Sequence, residues 1–145
     1  MTDRVLVAVE DSAAGLHTAS VAVALAAALG SRLLVVHVVT DGQVLSALGA
    51  FAHDRARVAE RRRESGASLV RHVAGLARDA GVPVDTLELE GDPAPRILDA
   101  ARDWTAGLLV LGRAAHVGGG PHEVGPHTRY VLEFADQPVL VVPPA

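Results

Sequence analysis

The sequence predicts an α/β fold in which an open parallel sheet is covered by helices on both faces, and three observations point to it. Five short runs rich in valine and leucine recur along the chain. Most are apolar at consecutive rather than alternating positions, as strands buried on both faces are. Segments with apolar residues at helical spacing separate them, and right-handed crossovers through such helices return the chain to a neighbouring strand. At 145 residues the chain suits one domain of ordinary size, taken here as residues 1–145.

Val5 to Val9 is the first run, bounded by Arg4 and Glu10. Ser12 is placed to cap the helix that follows, Leu16, Ala19, Val23, Ala26 and Ala27 repeat at helical spacing, and Gly30 ends it. Leu33 to Val39 is the second strand. A longer helix over roughly residues 54–80 carries Val58, Leu69, Val73, Leu76 and Ala77 on one side and Arg61, Arg62, Arg63 and Glu64 on a solvated side. The linker from Thr40 to His53 contains Val44, Leu45, Leu48 and Phe51, enough apolar residues for a flap or a partner surface. Val84 to Leu89 forms a shorter third strand. Pro93 and Pro95 open a helix running to Trp104, in the first turn where proline is tolerated. Leu108 to Leu111 and Val139 to Val142 supply strands four and five, with a last helix at about residues 126–135 between them.

Composition narrows the chemistry. The net charge of -4 gives no general attraction for nucleic acid or an anionic membrane, so neither is expected as a partner. All 13 basic residues are arginine, which removes lysine Schiff bases and the lysine of phosphate loops. Without cysteine there are no disulfides, thiolate metal sites or thiol nucleophiles. The N-terminal stretch MTDRVLVAVED has neither a signal-peptide pattern nor an apolar run of spanning length, and a cytoplasmic protein is expected.

In open parallel sheets, ligands bind beyond the carboxyl ends of the strands, where the winding direction reverses. Glu10, Asp11 and Ser12 follow strand one, and a glycine-rich loop starting at Gly112 follows strand four. Such a loop permits close approach to a phosphate, and the helix after it offers unpaired N–H groups. Gly120 and Gly125 have Walker A spacing, but Pro126 and His127 stand where lysine and serine or threonine are required. No GxGxxG follows strand one.

VLVAVEDS at the start, GDPAPRILDAARDWTAGLLVLG in the second half and YVLEFADQPVLVVP at the end together resemble the universal stress protein family, in the right order and across essentially the whole chain. The resemblance implies the strand order 3-2-1-4-5 of the adenine nucleotide alpha hydrolase-like fold. It also implies a homodimer joined through the last strand, Pro138 to Pro143, where an edge strand would otherwise leave backbone groups unpaired. Nucleotide-binding members carry glycine, two residues, glycine, nine residues, then glycine followed by serine or threonine. Here Gly112 and Gly125 keep that spacing, while Ala115 replaces the middle glycine and Pro126 the hydroxyl residue. The family's acidic residue after strand one aligns with Glu10, and the aspartate usual before strand four is replaced by Ala106-Gly107.

The pocket residues expected from this pattern are Glu10, Val39, Gly112, Arg113, Ala115, Gly125, His127 and Thr128. Each charge-assisted hydrogen bond lost from such a loop removes about 1.5–3 kcal/mol, or roughly one to two orders of magnitude in affinity. Two readings follow. One is a homodimeric regulatory or stress-linked binding module, with an unknown protein partner, whose degenerate loop binds no nucleotide. The other is an ATP-binding switch with slow or no hydrolysis, in which magnesium accompanies ATP. No catalytic residue is assigned, since neither a nucleophile elbow nor a complete phosphoryl-transfer set is present. His116, His122 and His127 with Glu123 are irregularly spaced and read as solvated loop residues rather than a metal site. His37, inside strand two, reads as a hydrogen-bonded core residue.

Overall fold

The computed structural model describes residues 2–40, 52–113 and 124–145. Strands β1 (Arg4–Ala8), β2 (Arg32–Val39), β3 (Val84–Glu90), β4 (Leu108–Gly112) and β5 (Val139–Val142) alternate with helices α1 (Ala13–Leu29), α2 (Ala52–Asp79), α3 (Pro93–Asp103) and α4 (Pro126–Phe134). The sheet runs β3-β2-β1-β4-β5 with every neighbouring pair parallel, as the sequence pattern and the family resemblance predict. β1 closes one residue earlier than its apolar run, although Val9 N–H still reaches Val36 O at 2.9 Å. Most of the linker after Thr40, with Val44, Leu45, Leu48 and Phe51, lies outside the described residues.

Two cores sandwich the sheet. Val5, Val7, Leu33, Val35 and Val110 face α1 and α2, while Leu6, Leu34, Val36, Leu109 and Leu111 face α3 and α4. This is the two-faced burial that consecutive apolar residues predict. The stripe that α1 buries is Gly15, Thr18, Ala19, Ala22, Val23 and Ala26. Leu16, expected inward, is 38% exposed, and Ala27 is also outside. Because α1 has no aspartate, glutamate, lysine or arginine, its spacing had no charged side to orient it. Leu76 of α2 is likewise exposed.

Both ends of α1 match their sequence signals. The Ser12 hydroxyl accepts from Gly15 N–H at 3.0 Å, and Gly30 closes the helix at φ 67°. At the amino edge of the sheet, the Arg4 guanidinium lies 5.4 Å from the centre of the Trp104 ring and donates from Nη1 to Trp104 O at 2.7 Å. Beside it Thr105 adopts φ 58°, turning the chain from α3 into β4 while Ala106 N–H bonds Ala101 O at 2.9 Å. No helix among the described residues is long and apolar enough to cross a membrane.

Candidate functional site

The chain winds from β1 outward to β2 and β3, then crosses back to β4 and outward again to β5. Their loops diverge where β1 meets β4, and a crevice must open beyond the carboxyl ends of those strands. A cavity of about 280 Å³ lies there. Glu10 and Asp11 from the end of β1 line it together with Gly112 and Arg113 from the end of β4, and His127 and Thr128 from the first turn of α4. Ala8, Val36, Val38 and Ile97 supply apolar wall.

The β1–α1 loop is held from several sides. Ser12 N–H bonds Glu10 O at 2.9 Å, and the Asp11 carboxylate accepts from the Ser65 hydroxyl of α2. A Cβ on Gly15 would sit 1.9 Å from the Glu10 carbonyl oxygen, so α1 can start this close to the strand only with glycine there. His37 is buried and its Nδ1 lies 2.7 Å from Val9 O. A carbonyl oxygen can only accept, so Nδ1 carries the proton and donates. The core reading of His37 holds, and the residue also lines the cavity. Gly66 of α2 makes room for it, since a Cβ there would stand 2.6 Å from the ring.

On the β4 side, a Cβ on Gly112 would meet Thr18 Oγ1 at 2.7 Å. Thr18 itself donates to Ala14 O at 3.0 Å. Thr128 donates its hydroxyl to Gly112 O at 3.1 Å, tying α4 to the strand end. Arg113 continues the β4–β5 ladder through its N–H to Val142 O at 2.8 Å. Its side-chain Nε is buried with no hydrogen-bond partner among the described residues. His127 Nδ1 faces Asp92 Oδ1 at 3.8 Å, with both side chains at least half exposed, so the pair contributes about 0–1 kcal/mol.

Of the residues expected at the pocket, Glu10, Gly112, Arg113, His127 and Thr128 come together around one cavity. Val39 does not join them. Its carbonyl accepts from Gly91 N–H at 3.1 Å and it borders a separate cleft beside Glu60 and Arg63, so β2 contributes Val36, His37 and Val38 instead, with Thr40 just beyond its end. Gly125 caps α4 at φ -66°, and a Cβ there would meet no described atom within 4 Å. Ala115 lies outside the described residues, as do His116, His122 and Glu123. Among the described residues, no group of three histidine, aspartate or glutamate side chains is placed to hold a metal. Sequence reasoning passed over Gly15, Thr18 and Gly66. A glycine inside a helix costs up to about 1 kcal/mol relative to alanine, and that was the available signal for the two glycines.

Residues 1–143 match the Universal stress protein family. The chain belongs to that family. A universal stress protein of Methanocaldococcus jannaschii is 33% identical over 85 residues, which is 59% of this chain and 50% of the relative. The Bacillus subtilis universal stress protein YxiE is 24% identical across 98% of this chain and 99% of its own. A universal stress protein structure from Burkholderia pseudomallei superposes with a TM-score of 0.77 at 27% identity, covering 99% and 96% of the two chains. Two more distant structures share the fold. One is a universal stress protein in complex with cAMP, with a TM-score of 0.74, 19% identity and 99% of both chains covered. The other is from Archaeoglobus fulgidus in complex with dAMP, with a TM-score of 0.67, 20% identity and 95% of both chains covered.

Proposed function

We propose that this universal stress protein is a cytoplasmic, homodimeric binding module whose cavity between β1 and β4 holds an adenine nucleotide. The observation that carries the reading is the convergence of Arg113 from the end of β4 with His127 and Thr128 from the first turn of α4 on one cavity. A phosphate there would meet both the guanidinium charge and the positive end of the helix. In this reading the base lies against Ala8, Val36 and Val38, while the phosphate end faces Arg113 and the start of α4. The first bond of that helix is Arg129 N–H to Gly125 O at 2.9 Å, so the first turn offers the N–H groups of His127 and Thr128. The universal stress protein structures with cAMP and dAMP support an adenine ligand in this fold.

Calorimetric titration with AMP, cAMP and ATP tests the reading, and at least one should bind saturably at one site per chain. Ala14, which lines the cavity from the first turn of α1, is half-buried. Ala14→Leu fills that space and should weaken binding at least about tenfold, or about 1.4 kcal/mol, with an unchanged circular dichroism spectrum. No saturable binding at millimolar nucleotide, or unchanged affinity in Ala14→Leu, overturns the proposal.

The homodimer reading rests on β5. It is one of the two sheet edges, its Leu140 is 38% exposed, and Tyr130, Leu132 and Phe134 of the neighbouring α4 are more exposed still. Antiparallel pairing of two β5 strands would cover both the open backbone edge and this apolar surface. Light scattering at micromolar concentration should give twice the 15.0 kDa chain mass. A monomer under those conditions refutes it.

A further inference from the structure

Resting on the nucleotide reading above, we infer that the His127 imidazole, in its protonated form, is a ligand for the phosphoryl group, so that the cavity takes up its anion and a proton together. His127 is the second residue of α4 and lines the cavity with Arg113. Its side chain is half-exposed, so protons from solvent can reach it. Nδ1 faces the Asp92 carboxylate at 3.8 Å. Asp92 is the N-cap of α3, but its side chain makes no capping bond to that helix. This arrangement sets Nε2 on the side of the ring away from Asp92, as the nitrogen that an anion in the cavity would meet. An imidazolium donates from both nitrogens, and its hydrogen bond to a phosphate oxygen is charge-assisted.

The sign of the effect follows from charge. A proton on His127 and an anion in the cavity attract each other, so each favours the binding of the other. The charged groups around the site are Asp92 before α3, Arg113 after β4, Glu10 and Asp11 after β1, and Arg129 on α4 itself. Carboxylates and guanidinium groups ordinarily hold one charge between about pH 5.5 and 8, whereas an imidazole changes its own there. The former set the level of anion affinity, and histidine sets its slope. His37 from β2 lines the same cavity, and its Nδ1–H is given to Val9 O. His116 and His122 lie outside the described residues. The gain from His127 is fully present below the imidazole range and is lost as the pH rises through it.

The test is calorimetric titration of the full chain with cAMP at two pH values. Its phosphodiester carries one negative charge throughout, whereas the monoester of AMP changes charge near about pH 6 and adds a slope of its own. Affinity for cAMP at about pH 5.5 should exceed that at about pH 8 by at least about threefold, the worth of a partly solvated charge contact. His127→Gln should flatten the profile. His127→Lys, charged at both pH values, should also be flat and should bind at least as tightly as the wild type does at the higher pH. Adenosine, which lacks the phosphoryl group, should bind the wild type equally at both. A flat wild-type profile for cAMP, a slope that survives in His127→Gln, or the same slope with adenosine overturns the inference and leaves the nucleotide reading standing. Should AMP bind and cAMP not, AMP affinities of the wild type and His127→Gln give the same comparison, because the slope of the phosphate itself is common to both. If cAMP, AMP and ATP all fail to bind at either pH, it is the nucleotide reading itself that falls.

Discussion

Gly15→Ala lowers the stability of the protein by about 3 kcal/mol or more, the upper range for forcing extra volume into a packed site. The added Cβ would stand 1.9 Å from the Glu10 carbonyl oxygen and 2.8 Å from its carbon. Both are backbone atoms, so no rotamer change relieves the overlap. Either α1 moves away from the sheet or the chain between Val9 and Ser12 moves, and that chain also carries the Asp11–Ser65 hydrogen bond. For a chain of this size the expected fall in Tm is about 10 °C. Nucleotide affinity should fall with it, because Glu10 and Asp11 are displaced from the cavity wall.

Gly75→Ala is the matched control. Gly75 also lies inside a helix, α2, but a Cβ there meets nothing within 4 Å. Alanine should stabilise that position by about 0.4–1 kcal/mol through the lower entropy of the unfolded chain. Thermal unfolding of the two variants side by side checks the account. If Gly15→Ala proves neutral or stabilising, the close approach of α1 to Glu10 is wrong.

Gly112→Ala should cost about 1–3 kcal/mol by overpacking, and Thr18→Ala should recover most of that loss. The new methyl would lie 2.7 Å from Thr18 Oγ1, whereas Thr18 Cβ stands 3.7 Å away, an ordinary contact. Removing the hydroxyl therefore removes the clash. The single Thr18→Ala change gives up one hydrogen bond to Ala14 O, worth about 1 kcal/mol. Summed separately, the two losses exceed what the double variant should show, and denaturant titration of the four proteins measures the difference. Strict additivity would mean that Gly112 and Thr18 do not touch.

These pairs show which parts of the protein were legible beforehand. Strand positions were, because runs such as Val5 to Val9 are consecutive, apolar and ended by charge. The caps of α1 were legible for local reasons, since Ser12 and Gly30 act on neighbours within a few residues. The buried face of α1 was hidden, because a helix apolar all round offers no contrast from which to choose a side. Val39 was expected at the pocket and Val38 found there, and a strand covered on both faces is apolar at either parity. Gly112 and Gly125 carried equal weight as members of one spacing, yet only Gly112 is packed against a described side chain. That distinction depends on residue 18 meeting residue 112, a contact no local window contains. Arg113 was named as a source of charge, but the burial of its Nε is a property of the folded surroundings alone.

The stacking of Arg4 on Trp104 has a spectroscopic consequence. Trp104 is the only tryptophan in the chain, and it sits where the strands begin, whereas the cavity sits where they end. The five residues of β1 separate the two edges by about 15 Å. Its indole emission therefore follows loss of the fold and stays quiet to occupancy of the cavity, which gives an intrinsic optical probe of unfolding free of ligand signal.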